Sequence, residues 1–433
     1  MHDLSCAVST NRILARILPV LPAGTHLVGG CVRDLLLGVE PSDFDLVASH
    51  PSMEVASRIR DAVGGTAFCI DRERGVARVA IERGGILIDV SPLRGGDISQ
   101  DLRLRDITIN AMACPPDGHR LIDPLDGIQD LSSGIIRLIS EQNLLDDPLR
   151  GLRCLRFAVQ LGFVVEPHTM ELVRLHAGTL SKVAAERIKQ EVFKALSTDR
   201  CLEFFSLLQS SGHDREIFSV AAGGAGAALE SCRRAERFMH EAPEHLPGIT
   251  DAFPEELEHG MTRGAALLLA AYLASGAHDP AGQCLDRLAP SARLRQTIRD
   301  AVAGARAVSR MPLLPAPAPR DMHRVLADFE GCVPEMLVLA MSLARGDRPG
   351  ATASSMARAC TAIWRHYRDC YLPQRAHPLL TGSDIACALG VAPGPRIGEL
   401  LREVEEARAE GLIETAGDAF AYLRARTDPV PGS

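Results

Sequence analysis

Along the first third of the chain, hydrophobic and polar positions change places in short runs, and each run predicts an element. Leu27-Val28 is an apolar strand end. It meets Gly29-Gly30, a pair that lets the backbone turn tightly and come close to a ligand. Val32 to Leu37 spans one or two helical turns, and Gly38 stops them. From Asp43 to Val47 polarity alternates, which predicts a strand with Asp43 and Asp45 on one face and Phe44 and Leu46 on the other. Arg12–Leu18 and Met53–Val63 read as helices, and Thr66–Ile70, Val76–Ile81 and Ile86–Val90 as strands. From about Asp146 the pattern turns helical and stays so. The expected fold class is α+β, an N-terminal sheet domain followed by all-α domains. The expected divisions are a head at 1–140, a neck at 141–200, a body at 201–375 and a tail at 376–433.

Composition narrows the picture. The 433 residues carry a net charge of −8, so any affinity for nucleic acid must come from local basic patches. Aromatics are only 4%, too few for extensive base stacking. Twelve scattered cysteines include no C-x-x-C pair, which suggests neither a zinc site nor a disulfide framework. There is no charged segment leading into an apolar one at the start, and no apolar run of membrane-spanning length, so a cytoplasmic protein without membrane contact is expected.

The chemistry gathers around Asp43 and Asp45. Two carboxylates on one strand face repel each other, and a divalent cation offsets that repulsion. Hard oxygen ligands of this kind suit Mg²⁺, which tends to bring substrate phosphates with it. Gly30 at the turn and Arg33 just inside the helix fit a triphosphate beside that metal. Asp89, a lone acid in an apolar strand, is either a third carboxylate near the metal or an ordinary strand-end acid.

Gly-Gly-x-Val-Arg-Asp followed by Gly-x-x-x-x-Asp-x-Asp resembles the first motif of the tRNA nucleotidyltransferase and bacterial poly(A) polymerase family. Leu102–Ala113 resembles the second motif, with Leu104 where an arginine is usual and Ile107 where phenylalanine is. Arg105, Asp106 and Asn110 are retained. The resemblance implies that Arg105 and Asp106 hold the ribose and phosphates of the incoming nucleotide; an ordinary charge pair at a helix start is the other reading. Asp123-Pro-Leu-Asp-Gly matches a further motif and reads as a structural turn.

Asp147-Pro148-Leu149-Arg150 starts the next predicted helix, which Gly162 stops. Asp147, Arg150 and Arg153 are then neighbours on its surface, and a salt-bridged solvated face is one reading. The other concerns bases. Cytosine and adenine present an amino donor beside a ring-nitrogen acceptor, so Asp147 can accept from the first and Arg150 donate to the second. In the family the matching motif is credited with that choice, and Arg150, Arg153 and Arg156 match its arginines, while Asp146 stands where glutamate is usual. Ala185-Glu186-Arg187-Ile188 through Glu191 and Lys194 resembles a motif that steadies the neck.

Beyond residue 200 the resemblance thins. Arg310–Arg320 is a proline-rich stretch, Trp364 reads as core, and His278-Asp279 reads as a chance dipeptide rather than a metal site. The segment Leu379–Leu423 resembles the tail of tRNA-acting members, with Arg396 at a helix start. The whole resemblance implies a two-metal enzyme in which Asp43 and Asp45 hold Mg²⁺, acting on tRNA with CTP and, for a complete CCA end, ATP. A poly(A) polymerase shares these motifs, and a non-catalytic RNA-binding protein is the alternative of another class. In members that build the whole CCA end, a long flexible loop precedes the Arg-Asp motif. Here little more than a turn separates Arg94 from Arg105, which resembles the subset that adds two C residues.

Overall fold

The computed structural model describes residues 4–81, 85–218, 225–274, 285–312, 316–344 and 353–427. His278 and Asp279 lie outside them, as do residues 313–315 of the proline-rich stretch. The chain divides into two compact units, Met1–Glu216 and Ile217–Ser433.

The first unit is built on a mixed sheet of β1 (Thr25–Val28), β2 (Asp43–Ala48), β3 (Thr66–Asp71), β4 (Val76–Ile81), β5 (Ile86–Pro92) and β6 (Ala113–Cys114). Their order is β3-β4-β5-β2-β1-β6. Only β2 and β5 pair in parallel, and their register sets Asp45 opposite Asp89 and Phe44 opposite Ile88. Phe44 and Leu46 are buried, as the alternation along β2 requires. The helix Ser52–Val63 packs on β3, β4 and β5 through Val55, Ala56 and Ile59. Helices Glu141–Asp146, Leu149–Leu161 and Ala185–Leu196 follow, and Gly162 ends the second of them in the left-handed conformation.

One expected element is absent. Arg105 and Asp106 do not begin a helix; they follow one. Asp97 accepts from Gln100 N at 2.9 Å and so starts a helix at Ile98 that ends at Arg103. The β-branched run Ile107-Thr108-Ile109 then leaves only a single 3₁₀ turn, Thr108–Asn110.

Among its described residues the second unit is helical apart from one short strand pair. Helices Arg263–Ala274, Ala292–Arg310 and Val333–Leu343 pack on one another. Trp364 is core, its indole N–H donating to Pro247 O at 3.0 Å. Near the end, Leu380, Ile385, Leu400, Val404 and Leu423 share a core. Thr381 and Asp384 form a capping box on Gly382–Leu389, and a second helix runs Pro395–Ala409. Among the described residues no helix is long and apolar enough to cross a membrane.

Candidate active site

The glycine turn brings the sheet and the Arg105 segment together. Gly29 has φ 76° and ψ −140°, and the helix Gly30–Leu36 starts directly after it. A Cβ built on Gly29 would lie 3.1 Å from Arg105 Nη1 and 3.1 Å from Asp45 Oδ2. At Gly30 the nearest side-chain atom would be 3.6 Å away, an ordinary contact. Gly29 is therefore the glycine against which both Arg105 and Asp45 pack at the strand end, although the sequence suggested Gly30.

Asp43, Asp45 and Asp89 share one face of the sheet, because Asp45 and Asp89 are register partners on parallel strands. Asp89 is bound on both oxygens by Arg78 of β4, at 2.6 Å from Nε and 2.7 Å from Nη2. Its charge is thereby partly offset. Asp45 has no such partner among the described residues. Asp45 is exposed to solvent, with other cleft-lining residues around it. Burial raises its carboxyl pKa, Arg105 opposes the rise, and the charges of Asp89 and Asp43 add to it. This strand end is short of positive charge.

Asp106 is held differently. Its Oδ2 accepts from Arg153 Nε at 2.8 Å and Nη2 at 2.7 Å, and its Oδ1 accepts from Ile107 N at 2.9 Å. Burial pushes its pKa up, but the charge and bonds of Arg153, the Ile107 N–H and the charge of Arg150 outweigh burial and hold it at about 2. The preceding turn is clamped by its carbonyls. Asn143 Nδ2 donates to Arg103 O and Arg105 O, both at 2.8 Å, while Arg150 donates to Leu104 O at 2.8 Å and Arg105 O at 3.1 Å. Asn143 carried no signal in sequence, because only the fold brings it to that turn.

Asp147 is extended, at the junction between two helices rather than on the face of one. Its Oδ1 accepts from Leu149 N at 3.2 Å, and its Oδ2 accepts from Arg187 Nη2 at 2.7 Å. The salt-bridged pair in this region is thus Asp147–Arg187, and Arg150 points to backbone instead.

These groups enclose a polar cleft of about 260 Å³. Of the candidate residues, Asp45, Arg105, Asp106, Asp147, Arg150 and Arg153 line it, joined by Arg94, Asp101 and Arg187. Arg33 and Arg156 lie beneath it, 5% and 4% exposed. Arg33 donates to Asn110 Oδ1 at 2.7 Å and to Asp34 Oδ1 at 2.7 and 2.9 Å. Arg156 is bonded to Glu191 and Gln160 and lies over the Phe157 ring. Arg156 shares Glu191 with the lining residue Arg153. Asp43 and Gly30 are not among the lining residues. No group of three or more His, Cys, Asp or Glu among the described residues is arranged to hold a metal ion.

The family described as Poly A polymerase head domain matches residues 25–137. The probable RNA and SrmB-binding site of polymerase A matches 162–219. A CC-adding tRNA nucleotidyltransferase of Geobacter sulfurreducens is 33% identical over 97% of this chain and 99% of its own. An A-adding tRNA nucleotidyltransferase of Deinococcus radiodurans is 34% identical over 96% of this chain and 98% of its own. Among solved structures, a CCA-adding enzyme in complex with CTP superposes with a TM-score of 0.74 at 22% identity, covering 99% of both chains. The Thermotoga maritima CCA-adding enzyme complexed with tRNA gives 0.70 at 23% identity, also over 99% of both. At those identities the structural likeness speaks for the fold.

Proposed function

Because the chain belongs to the tRNA nucleotidyltransferase family, we propose that it adds cytidine from CTP to the 3′ end of tRNA, without a nucleic-acid template, and stops after two C residues. The observation that carries this reading is the cleft in which Asp45, Arg105, Asp147 and Arg150 face one volume of about 260 Å³. The stop after CC rests on residues 93–97, all that separates β5 from the helix Ile98–Arg103. A segment that short has little reach over the nucleotide.

Base choice follows from how Asp147 and Arg150 are held. Arg187 fixes Asp147 while leaving its carboxylate lone pairs for an amino donor. Arg150 spends one N–H of each terminal nitrogen on the carbonyls of Leu104 and Arg105, which fixes the guanidinium plane and leaves Nε–H for a ring nitrogen. Cytosine and adenine satisfy both side chains, whereas uracil and guanine mispair with both. Arg105, next to Asp45 across Gly29, is placed to meet the triphosphate. Asp106, ionised and locked by Arg153, is an acceptor for ribose hydroxyls.

The strand end fits Mg²⁺. Asp45 is a carboxylate made uneasy by burial and by Asp89 and Asp43, and a cation relieves all three causes. Asp43 and Asp45 would hold it, with the nucleotide's phosphates as further ligands. Bound there, Mg²⁺ supplies charge to activate the RNA 3′-hydroxyl and to stabilise the departing pyrophosphate. The reaction is assigned to the cytoplasm.

The A-adding relative at 34% identity favours a second reading, addition of A to tRNA already ending in CC. Incubation with tRNAs ending at the discriminator base, at C and at CC, each with CTP or ATP, separates the two. Two C residues and no A on the first substrate supports CC addition. A single A added only to the CC-ended tRNA supports the second reading, a complete CCA end removes the stop, and repeated A addition points to a poly(A) polymerase.

A further inference from the structure

We infer that Arg94 contacts a substrate phosphate, an assignment that rests on the nucleotidyl-transfer reading of the cleft. Its backbone is fixed. The preceding Leu93 N donates to Ala48 O at 2.9 Å, and Arg94 N donates to Asp101 Oδ1 at 3.2 Å. Asp101 is 3% exposed and also accepts from Arg105 Nη2 at 3.2 Å. One buried carboxylate therefore ties the Arg94 backbone to the Arg105 guanidinium, and both residues line the same cleft as Asp45.

The other cleft arginines are committed to protein partners. Arg105 is bonded to Asp101, Arg150 to two carbonyls, Arg153 to Asp106 and Glu191, and Arg187 to Asp147. Among the described residues, the Arg94 guanidinium has no hydrogen-bond or ion-pair partner, and the residue is exposed. Directly after it, Gly95 and Gly96 have φ of 74° and 98°. A Cβ on Gly96 would meet nothing within 4 Å, whereas one on Gly95 would lie 2.8 Å from Gln100 Cβ, so the chain turns tightly against Gln100 directly after Arg94. A planar cation with five unused donors, on a pinned backbone beside a catalytic carboxylate, matches phosphate oxygens in charge and geometry. Nothing in the motifs singled it out. The signal was local: an arginine at a strand end, followed by two glycines.

The phosphate belongs either to the incoming nucleotide or to the RNA strand, and binding measurements distinguish them. Arg94→Ala and Arg94→Lys are compared with wild type by calorimetric titration with CTP and Mg²⁺, and by filter binding of tRNA lacking its CCA end. The loss of a charge-assisted bond is expected to weaken one ligand by about tenfold or more in the alanine variant, with partial recovery in the lysine variant. Weakening confined to CTP assigns the triphosphate. Weakening confined to tRNA, with the slope of log affinity against log salt reduced by about 0.7 to 0.9, assigns the RNA backbone. The melting midpoint should stay at the wild-type value, since no protein contact is lost. If both affinities stay within about twofold of wild type, against the tenfold loss a charged bond implies, Arg94 touches no phosphate. Wild-type protein that binds CTP through Arg94 yet adds no nucleotide to tRNA would overturn the functional reading and leave this inference standing.

Discussion

Gly29 works through an absent side chain. At φ 76° and ψ −140° its backbone is close to a region held almost only by glycine, which costs an alanine about 1–3 kcal/mol, and the added methyl would press on Arg105 and Asp45 together. Gly38 has φ 71° with nothing within 4 Å of its would-be Cβ. Both alanine variants should therefore lose stability in a denaturant melt, Gly29→Ala the more, but only Gly29→Ala should also lose most nucleotide addition. Equal loss of activity in the two would show that backbone strain, not the close approach, is what matters. Asp43→Ala and Asp45→Ala should each abolish addition while the fold survives. For Asp45→Asn the melting midpoint should hold or rise, because burial and two acidic neighbours already work against its charge. Near wild-type turnover in Mg²⁺ for either alanine variant would sink the metal assignment.

Two contacts of the Ala185–Leu196 helix separate stability from chemistry. Within Leu149–Leu161 and Ala185–Leu196, Glu191 is buried against Arg156 and also reaches Arg153 at 3.4 Å. Glu191→Gln leaves two guanidiniums undercompensated, and breaking a buried pair from one side costs about 3–5 kcal/mol. Arg187 meets Asp147 from a side chain that is 48% exposed. Such a pair is worth at most about 1 kcal/mol, so Arg187→Ala should melt almost like wild type. Its expected defect is a lower ratio of CTP to UTP incorporation, because Asp147 is no longer aimed. An unchanged ratio would make Arg187 merely a surface ion pair. The sequence conveyed the motif that contains Arg187 and Glu191, and the structure has it as the helix Ala185–Leu196. It could not convey that Arg187 reaches a residue 40 positions away. For the same reason Arg33 looked like a ligand, while Arg156 could be read as bound either to phosphate or to a neighbouring helix, and Glu191 on the Ala185–Leu196 helix is what it meets. Their residue type and spacing were right, and only packing around Phe157 and Glu191 shows that they face inward.

Over the whole molecule, what could be read early was whatever local periodicity dictates: the strand carrying Asp43 and Asp45, the Gly162 stop and the α+β order. What could not be read were contacts made by long-range packing, and His213 is one more of these. It lies 2% exposed in the first unit, with Nδ1 3.1 Å from Ser211 Oγ and Nε2 against Gly151 of the Leu149–Leu161 helix. Burial lowers its pKa to about 4 from an ordinary 6.5. The folded state thus keeps His213 neutral where the unfolded chain protonates it. Above pH 6.5 the residue adds no pH dependence to stability; as pH falls from 6.5 towards 4 the unfolded state binds the extra proton and stability drops. The slope is about 1.4 kcal/mol per pH unit for one group. Asp106 contributes in a lower window, because its pKa is held at about 2 and its stabilisation is lost only below the ordinary carboxylate range. Glu335, whose pKa is raised, runs the other way, so the total slope is a sum of opposing groups. Comparing wild type with His213→Asn cancels those shared terms. In urea melts of the full chain between pH 7 and 4.5, the variant should start less stable and lose less on acidification, and parallel curves would mean that His213 is protonated in the fold after all.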